Sequence, residues 1–560
     1  MPIFIDGKSY FVPDVYGATQ VVNLASGAIP AFNGLLMIGK AKKGIPYDGG
    51  LGQEVIKAYS DPNSLIKDFG RGDLVTAFKQ AKKQGAGVIY VVNVAKTTQT
   101  KATIVNATKS VFDVTTKGYG QETKDIQFSV VTADTKRVIS VKPVKNVFFI
   151  NKAVLATDTT IFFEDVEGLA VGDFKVMTAT GIADVKILEV NVNGKFAVLS
   201  VAVEKAIASG NNIFQVDEDN EETYTVASTD PIEMIIEKVN AGSKLVTLER
   251  KVAYDGVIAD MDSYVGEIAS ATKGTSPNPT EIVGGDWDIL AGKLPQLFEE
   301  FSNFTKARVR LVNILTPNAS IHAIYRDLAT TLRGLYYSIK VIAGCDKGDI
   351  EKATSDTAHP IKRAKALNSD EITLAGMGVD DLPAYLSLAP QYAGILQANS
   401  VKHNITWDNI VAGIVEKFFG ESNKETETAT YLQNGVLIAR TGANGFFIAQ
   451  AVNTYQNQAN IWDMSNERTY LDMQRQIADF AFEVIRKELL GGVGNEAYSL
   501  SYGMKRVSGV IETLVKEGIL KGGSVESGKT ESGAMYIVPT IIPAESIDFI
   551  GFTMKIIIPN

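Results

Sequence analysis

Val88-Ile89-Tyr90-Val91-Val92-Asn93-Val94 is apolar at nearly every position, with no alternation between polar and apolar residues. A strand with one face in water alternates. A run that does not reads as a strand covered on both faces, as in a parallel sheet between helices. The preceding residues agree with this reading. Leu35-Leu36-Met37-Ile38-Gly39 is a second short apolar run. Between the two, Asp61-Pro62 opens a short helix through Ser64-Leu65-Ile66-Lys67-Asp68-Phe69. Asp73 is expected to cap a second helix, with Leu74, Phe78 and Ala81 on one face and Gly85 ending it. Residues 34–95 therefore read as α/β.

The same pattern returns at 284–430. Asp286-Trp287-Asp288 begins a helix with Leu290, Leu294, Leu297, Phe298 and Phe301 among its apolar positions. Val309, Leu311, Val312 and Ile314 mark a strand. A helix over 319–335 leads to the strand Ser338-Ile339-Lys340-Val341-Ile342. The two α/β stretches are expected to form one domain, interrupted by residues 97–283.

Residues 97–283 lose helical period. Thr103-Ile104-Val105, the alternating sets Ile126/Phe128/Val130 and Val138/Ser140/Lys142, and Leu245-Val246-Thr247 are β-prone runs between Gly, Asn and Asp turns. Within them, 149–217 reads as a smaller barrel. Its strands at 185–191 and 196–203 flank Asn193-Gly194, a strong hairpin signal.

Towards the C-terminus, a long helix is expected over 465–490, with Tyr470, Gln474, Ile477, Ala481, Val484 and Ile485 at helical spacing. A second, over 502–517, carries Met504, Val507, Ile511 and Leu514 on one face. Two strands follow, 535–542 and 547–558. The last is apolar on both faces: Ile550, Phe552, Met554, Ile556 and Ile558 on one, Ile547, Phe549 and Ile557 on the other. Left as a free edge, such a strand would aggregate. The first 30 residues, with Tyr16, Val21 and Val22, are also β-prone and extended. Two β-prone arms suggest strand exchange between subunits. Pairing within one subunit is equally consistent with the residues.

The fold class read from these patterns is multidomain α+β. Its parts are an N-terminal arm (1–30), an α/β core (31–96 and 284–430), an all-β insertion (97–283) with a nested barrel (149–217), a C-terminal domain (431–545) and a C-terminal strand arm (546–560).

The chain has 560 residues, 45% hydrophobic and 21% charged, enough to bury a large core. A formal net charge of -9 makes it a poor match for wrapping nucleic acid. The start of the sequence lacks a basic region followed by a long apolar one, so no signal peptide is expected, and no run approaches a membrane span. Assembly in the cytoplasm follows as an expectation.

Few residues point to chemistry. The single Cys345 reads as a small residue at a strand end. His322, His359 and His403 have no metal-ligand spacing, and His359 reads as part of a polar loop. Asp380-Asp381 and 217–222 read as solvated acidic loops. Gly523-Ser524-Val525-Glu526-Ser527-Gly528-Lys529-Thr530 matches the phosphate-loop pattern G-x-x-x-x-G-K-[ST]. A working phosphate loop opens a helix after a buried strand. Here loop and then strand are expected to follow, with only about thirty residues left for a nucleotide fold that needs a parallel sheet. A flexible hairpin loop is the preferred reading, and no catalytic residue, cofactor or metal is assigned.

Blocks along the chain resemble the contractile tail sheath family of phages, tailocins and related injection systems. Pro13-Asp14-Val15-Tyr16-Gly17 is similar to the family's Pro-Gly-Val-Tyr opening, with Asp14 where Gly is usual. Met37 to Gly44 resembles its IGxAxxG strand, and Gly85-Ala86-Gly87 with Val88 to Val94 its following strand. Ala389-Pro390 to Ala393-Gly394, the loop at Trp407, Asn434-Gly435-Val436, Trp462 to Arg468, Gly518-Ile519-Leu520 and Pro543-Ala544-Glu545 resemble later blocks in the same order. The match covers 1–100 and 284–560.

The resemblance implies a structural subunit of a virion tail, not an enzyme. It implies hexameric rings stacked helically around an inner tube protein, contacts with baseplate and tail terminator proteins, no direct nucleic acid and no membrane insertion. It also implies terminal arms that join neighbours by added strands while the bodies rearrange on contraction. A tube contact would need charges that can let go. Lys505, Arg506 and Lys516 on the 502–517 helix, and Arg475, Arg486 and Lys487 on the 465–490 helix, are the candidates. Alternatives from other classes are a phosphate-loop NTPase using 523–530 and a surface protein built on the β insertion. A signal peptide would mark the latter.

Overall fold

The computed structural model of the chain describes residues 3–5, 8–10, 34–45, 56–95, 99–251 (except 107–108, 121–125, 134, 179–180 and 228), 264–267, 286–305, 309–456 (except 335–336, 338, 400–404, 406–407, 421, 423 and 443–444), 496–516, 520–529 and 535–543. The architecture is mixed α+β.

A seven-stranded sheet lies at the centre. In spatial order its strands are Val436–Leu437, Ile372–Ala375, Lys340–Gly344, Val309–Ile314, Gly34–Gly39, Ile89–Asn93 and Lys57–Tyr59. All neighbours pair parallel except the last, which runs antiparallel to Ile89–Asn93. Leu35, Leu36, Met37 and Ile38 are wholly buried, each worth about 1.5–3 kcal/mol on leaving water. This is why the quoted runs lack alternation.

The strand order reverses between Gly34–Gly39 and Val309–Ile314. Right-handed crossovers therefore send the helices to opposite faces. Asp73–Lys83 packs with Leu388–Ala398, while Asp286–Thr305, Ala319–Gly334 and Pro360–Leu367 pack in sequence. One apolar cluster joins 35–94 to 287–452. It crosses the boundary expected at residue 430, because Val436–Leu437 completes the sheet by pairing with Ile372–Ala375. Asp73 is not the cap of its helix. Gly72 holds that position at φ 139°, and Asp73 stands in the first turn.

Among the described residues, two large apolar clusters and a small one (Val147, Phe149 and Phe214) lie in 99–250. In the first, a three-stranded sheet (Val246–Arg250, Lys109–Tyr119, Gln99–Asn106) and a four-stranded sheet (Glu222–Ala227, Lys136–Lys142, Gln127–Ala133, Tyr264–Glu267) share one core. Phe112 and Phe128 meet there edge to face, 6.1 Å apart. The sequence pattern missed a helix in this region, Ile232–Gly242, which buries Ile232, Ile235 and Val239.

The second is a six-stranded sheet over 144–216. A bridge between Ile150 and Phe163 joins its first strand to its last, closing it into a barrel around Phe148, Phe163, Phe174 and Ile187. The Asn193-Gly194 hairpin exists, between Gly181–Asn191 and Phe196–Leu199, but not as a two-residue turn. The Asn191 side chain accepts from Gly194 N–H (2.7 Å), and the left-handed residue is Lys195, φ 52°. A four-residue loop of this kind places the positive φ one position later than an Asn-Gly turn would.

Candidate contact surfaces

The helix Glu496–Lys516 and the antiparallel hairpin of Leu520–Lys529 with Met535–Pro543 pack against each other. The helix forms because Val507, Val510, Ile511 and Leu514 recur every three or four residues, and all four are buried. Near its middle Met504 meets the hairpin, with the Ser527 hydroxyl 2.7 Å from its sulfur. Lys505, Arg506 and Lys516 stand on the exposed side, as expected, with Tyr502 and Val515 also partly exposed. Arg475, Arg486 and Lys487 lie outside the described residues.

Among the described residues the two hairpin strands pair only with each other. Val538 (48% exposed) and Ile542 (56%) leave apolar surface on the second strand. A two-stranded ribbon retains hydrogen-bonding edges on both sides. The arm residues Tyr16, Val21, Val22, Ile550, Phe552, Met554 and Ile556 fall outside the described residues. Nearer the start of the chain, Ile3–Ile5 pairs with Lys8–Tyr10.

The phosphate-loop match sits on this hairpin, and the loop expected there is corrected. Gly523 to Lys529 is strand, paired residue by residue with Ile541 back to Met535. Its backbone amides point along the plane of a ribbon, not inward around an anion at a helix start. Near the sheet's reversal, where folds of this class hold ligands, two strand ends are tightly packed. A Cβ on Gly39 would lie 2.6 Å from Leu315 Cδ1, and one on Gly344 would lie 2.3 Å from the Tyr385 nitrogen.

The remaining polar candidates serve the interior. His322 is fully buried; its Nε2 meets the Thr316 carbonyl at 2.7 Å and its Nδ1 faces an Arg363 nitrogen at 3.0 Å. Burial first, and the Arg363 charge second, push its pKa down to about 3. His359 is not in a polar loop. It caps Pro360–Leu367, its Nδ1 accepting from Ile361 N–H, with Nε2 3.1 Å from the Tyr431 hydroxyl. His403 lies outside the described residues. Burial pushes the Cys345 thiol up to about 12, so it stays a protonated, apolar filler. Asp380 and Asp381 form a tight left-handed turn (φ 54° and 62°), and Asp380 accepts from Gly413 N–H at 2.7 Å. Among the described residues no group of three or more His, Cys, Asp or Glu is placed to hold a metal ion. No described helix is long and apolar enough to cross a membrane.

One surface was not legible in the sequence. Val411, Ile414 and Phe418 are each 49–62% exposed on the stretch beside Asp380. Their spacing of three and then four residues is that of a helix face, yet the chain there is mostly irregular, so no periodicity marks them.

Among solved structures, the chain is similar to the sheath tail protein from Desulfitobacterium hafniense. The TM-score is 0.53 at 12% identity, covering 94% of this chain and 100% of that one. It also matches a chain in the baseplate of the anti-feeding prophage (TM-score 0.35, 16% identity, 51% of this chain and 76% of that one). A third match is a chain in the contracted helical sheath of the same prophage (0.36, 12%, 50% and 76%). No family model and no curated protein matches. The chain thus has the fold of a sheath tail protein along nearly its whole length, which bears out the resemblance at the level of fold.

Proposed function

We propose that the chain is a structural subunit of a contractile tail sheath and not an enzyme. The observation that carries this reading is the shared fold, which spans 94% of this chain and the whole of the Desulfitobacterium sheath tail protein. In this reading, subunits form hexameric rings stacked helically around an inner tube in a virion tail, between a baseplate and a tail terminator. Residues 97–283 are an outward-facing β insertion with its own nested barrel. The arms, 1–30 and 546–560, lend strands to neighbours. The 520–543 hairpin supports this, since among the described residues its two strands pair only with each other, and a two-stranded ribbon can accept a further strand. Each added strand supplies several main-chain hydrogen bonds, about 1 kcal/mol apiece. Lys505, Arg506 and Lys516, exposed together on one helix, are the favoured tube contact. Weak, screened ion pairs suit a contact that is released on contraction.

Negative-stain microscopy of the purified chain tests the reading. Tubes or stacked rings are expected. Truncations lacking 1–24 or 546–560 should stay folded and unassembled, and Lys505→Glu with Arg506→Glu should fold yet load poorly on tubes. A wild-type chain that stays monomeric and binds ATP through Lys529 would replace the sheath reading with the NTPase one.

A further inference from the structure

The barrel at 144–216 meets the α/β body across a charged seam. On the body, Lys42 follows the Gly34–Gly39 strand, Arg71 precedes the Asp73–Lys83 helix, and Lys79 lies on that helix. On the barrel, Glu164, Asp165 and Glu167 lie on one loop. Lys42 pairs with Glu164, Lys79 with Glu167, and Arg71 with Asp165 at 2.7 Å. Arg71 also donates to the Glu167 carbonyl at 2.6 Å. Behind these pairs the cations lie on aromatic rings: Lys42 3.9 Å from the centre of Phe149, and Arg71 4.6 Å from that of Phe148.

The acidic loop is shaped without help from the body. Asp165 accepts from Glu167 N–H at 3.0 Å, Leu169 N–H donates to the Val166 carbonyl, and Gly168 takes φ 79°. Apart from these two cation–ring contacts, the body's apolar cluster does not cross the seam: among the described residues it takes no residue from 144–216. The chain also enters and leaves the barrel at one place. Val144 pairs with Val216, and Asp217 N–H donates to the Pro143 carbonyl at 2.8 Å.

We infer that the barrel is a hinged unit. Its pivot is the paired crossing at Pro143 and Asp217, and Lys42, Arg71 and Lys79 latch it to the body through Glu164, Asp165 and Glu167. The carboxylates are 44–65% exposed and the cations 16–22%, so water and salt reach the latch from its carboxylate side. Ion pairs with one exposed partner weaken as ionic strength rises, whereas a barrel closed on its own apolar core does not. Rising salt therefore frees the barrel as a body, without unfolding it. The inference does not depend on the sheath reading.

Distance measurement between spin labels tests it, since the buried Cys345 leaves introduced cysteines as the reactive ones. Labels at Asn193→Cys on the barrel and Lys365→Cys on the body, in the full chain, should give one narrow distance at low salt. At about 1 M salt, where the Debye length is roughly 3 Å, a second, broad population should grow by on the order of tenfold. Arg71→Glu should produce the same population at low salt, and Arg71→Glu with Asp165→Arg should remove it. A single narrow distance at both salt extremes in the unmutated latch would overturn the inference, even if the Arg71 variants fail to fold. So would broadening accompanied by loss of the barrel's own circular dichroism signal.

Discussion

Arg363 holds three interior groups at once: Asp349 at 3.3 Å, Nδ1 of His322 at 3.0 Å, and the Pro317 carbonyl. Because guanidinium only donates, His322 must accept at Nδ1, and its proton sits on Nε2 toward Thr316. The imidazole is thus fixed as neutral, with its pKa lowered from 6.5 to about 3. Below about 6.5 the unfolded chain binds a proton at this residue that the folded chain does not. Stability is therefore full above about 6.5 and declines as pH falls toward 3, by about 1 kcal/mol per pH unit from this group. Urea unfolding at a series of pH values should show the decline, and His322→Gln should flatten it between pH 6 and 4. An unchanged slope in the variant would mean that other groups set the acid sensitivity.

At the scale of elements, two glycines in helices make the same substitution act in opposite directions. Gly394 lies in Leu388–Ala398 where that helix crosses Asp73–Lys83; a Cβ there would sit 2.4 Å from the Ala81 carbonyl oxygen. Gly394→Ala should destabilise by about 1–3 kcal/mol through overpacking, despite the better helix former. Gly509, in Glu496–Lys516, has nothing within 4 Å of its missing Cβ. Gly509→Ala should stabilise by about 0.5–1 kcal/mol. Chemical denaturation of both variants checks the signs. The elements themselves were unevenly legible. The central strands could be read because burial on both faces erases alternation, as in Leu35 to Ile38. Ile232–Gly242 was missed although Asp230-Pro231 is a start signal and Ile232, Ile235 and Val239 have helical spacing; the β-prone runs around it outweighed eleven residues. Val436–Leu437 is too short to carry a period, so the sheet's outer strand had no signature. The latch was illegible for a different reason. Arg71 and Asp165 are separated by 94 residues, and charged residues on surface loops give no clue to distant partners.

For the whole molecule, the single crossing into the barrel has a direct test. Because Val144 and Val216 are already paired neighbours, replacing 144–216 with a short Gly-Ser turn closes the chain without moving either flank. The remaining protein should still fold cooperatively, losing at most the roughly 0–1 kcal/mol that each latch pair contributes, since shortening a loop alters closure entropy only slowly. Circular dichroism and a thermal melt measure this. Loss of cooperative unfolding would show that the barrel supports the rest of the fold.

The position of Gly34–Gly39 in the central sheet also dictates a timetable. One neighbour, Ile89–Asn93, follows closely in sequence, but the other, Val309–Ile314, emerges from the ribosome 270 residues after Gly39 (309 − 39). At about 5–20 residues per second, that gap lasts roughly 15–55 seconds. All six barrel strands leave the ribosome within it, and a small barrel closes in about a second or less. The nascent chain therefore carries a finished barrel while Leu35 to Ile38 still lack half their cover, and those seconds are when the chain is most exposed to chaperones and to mispairing with its own copies.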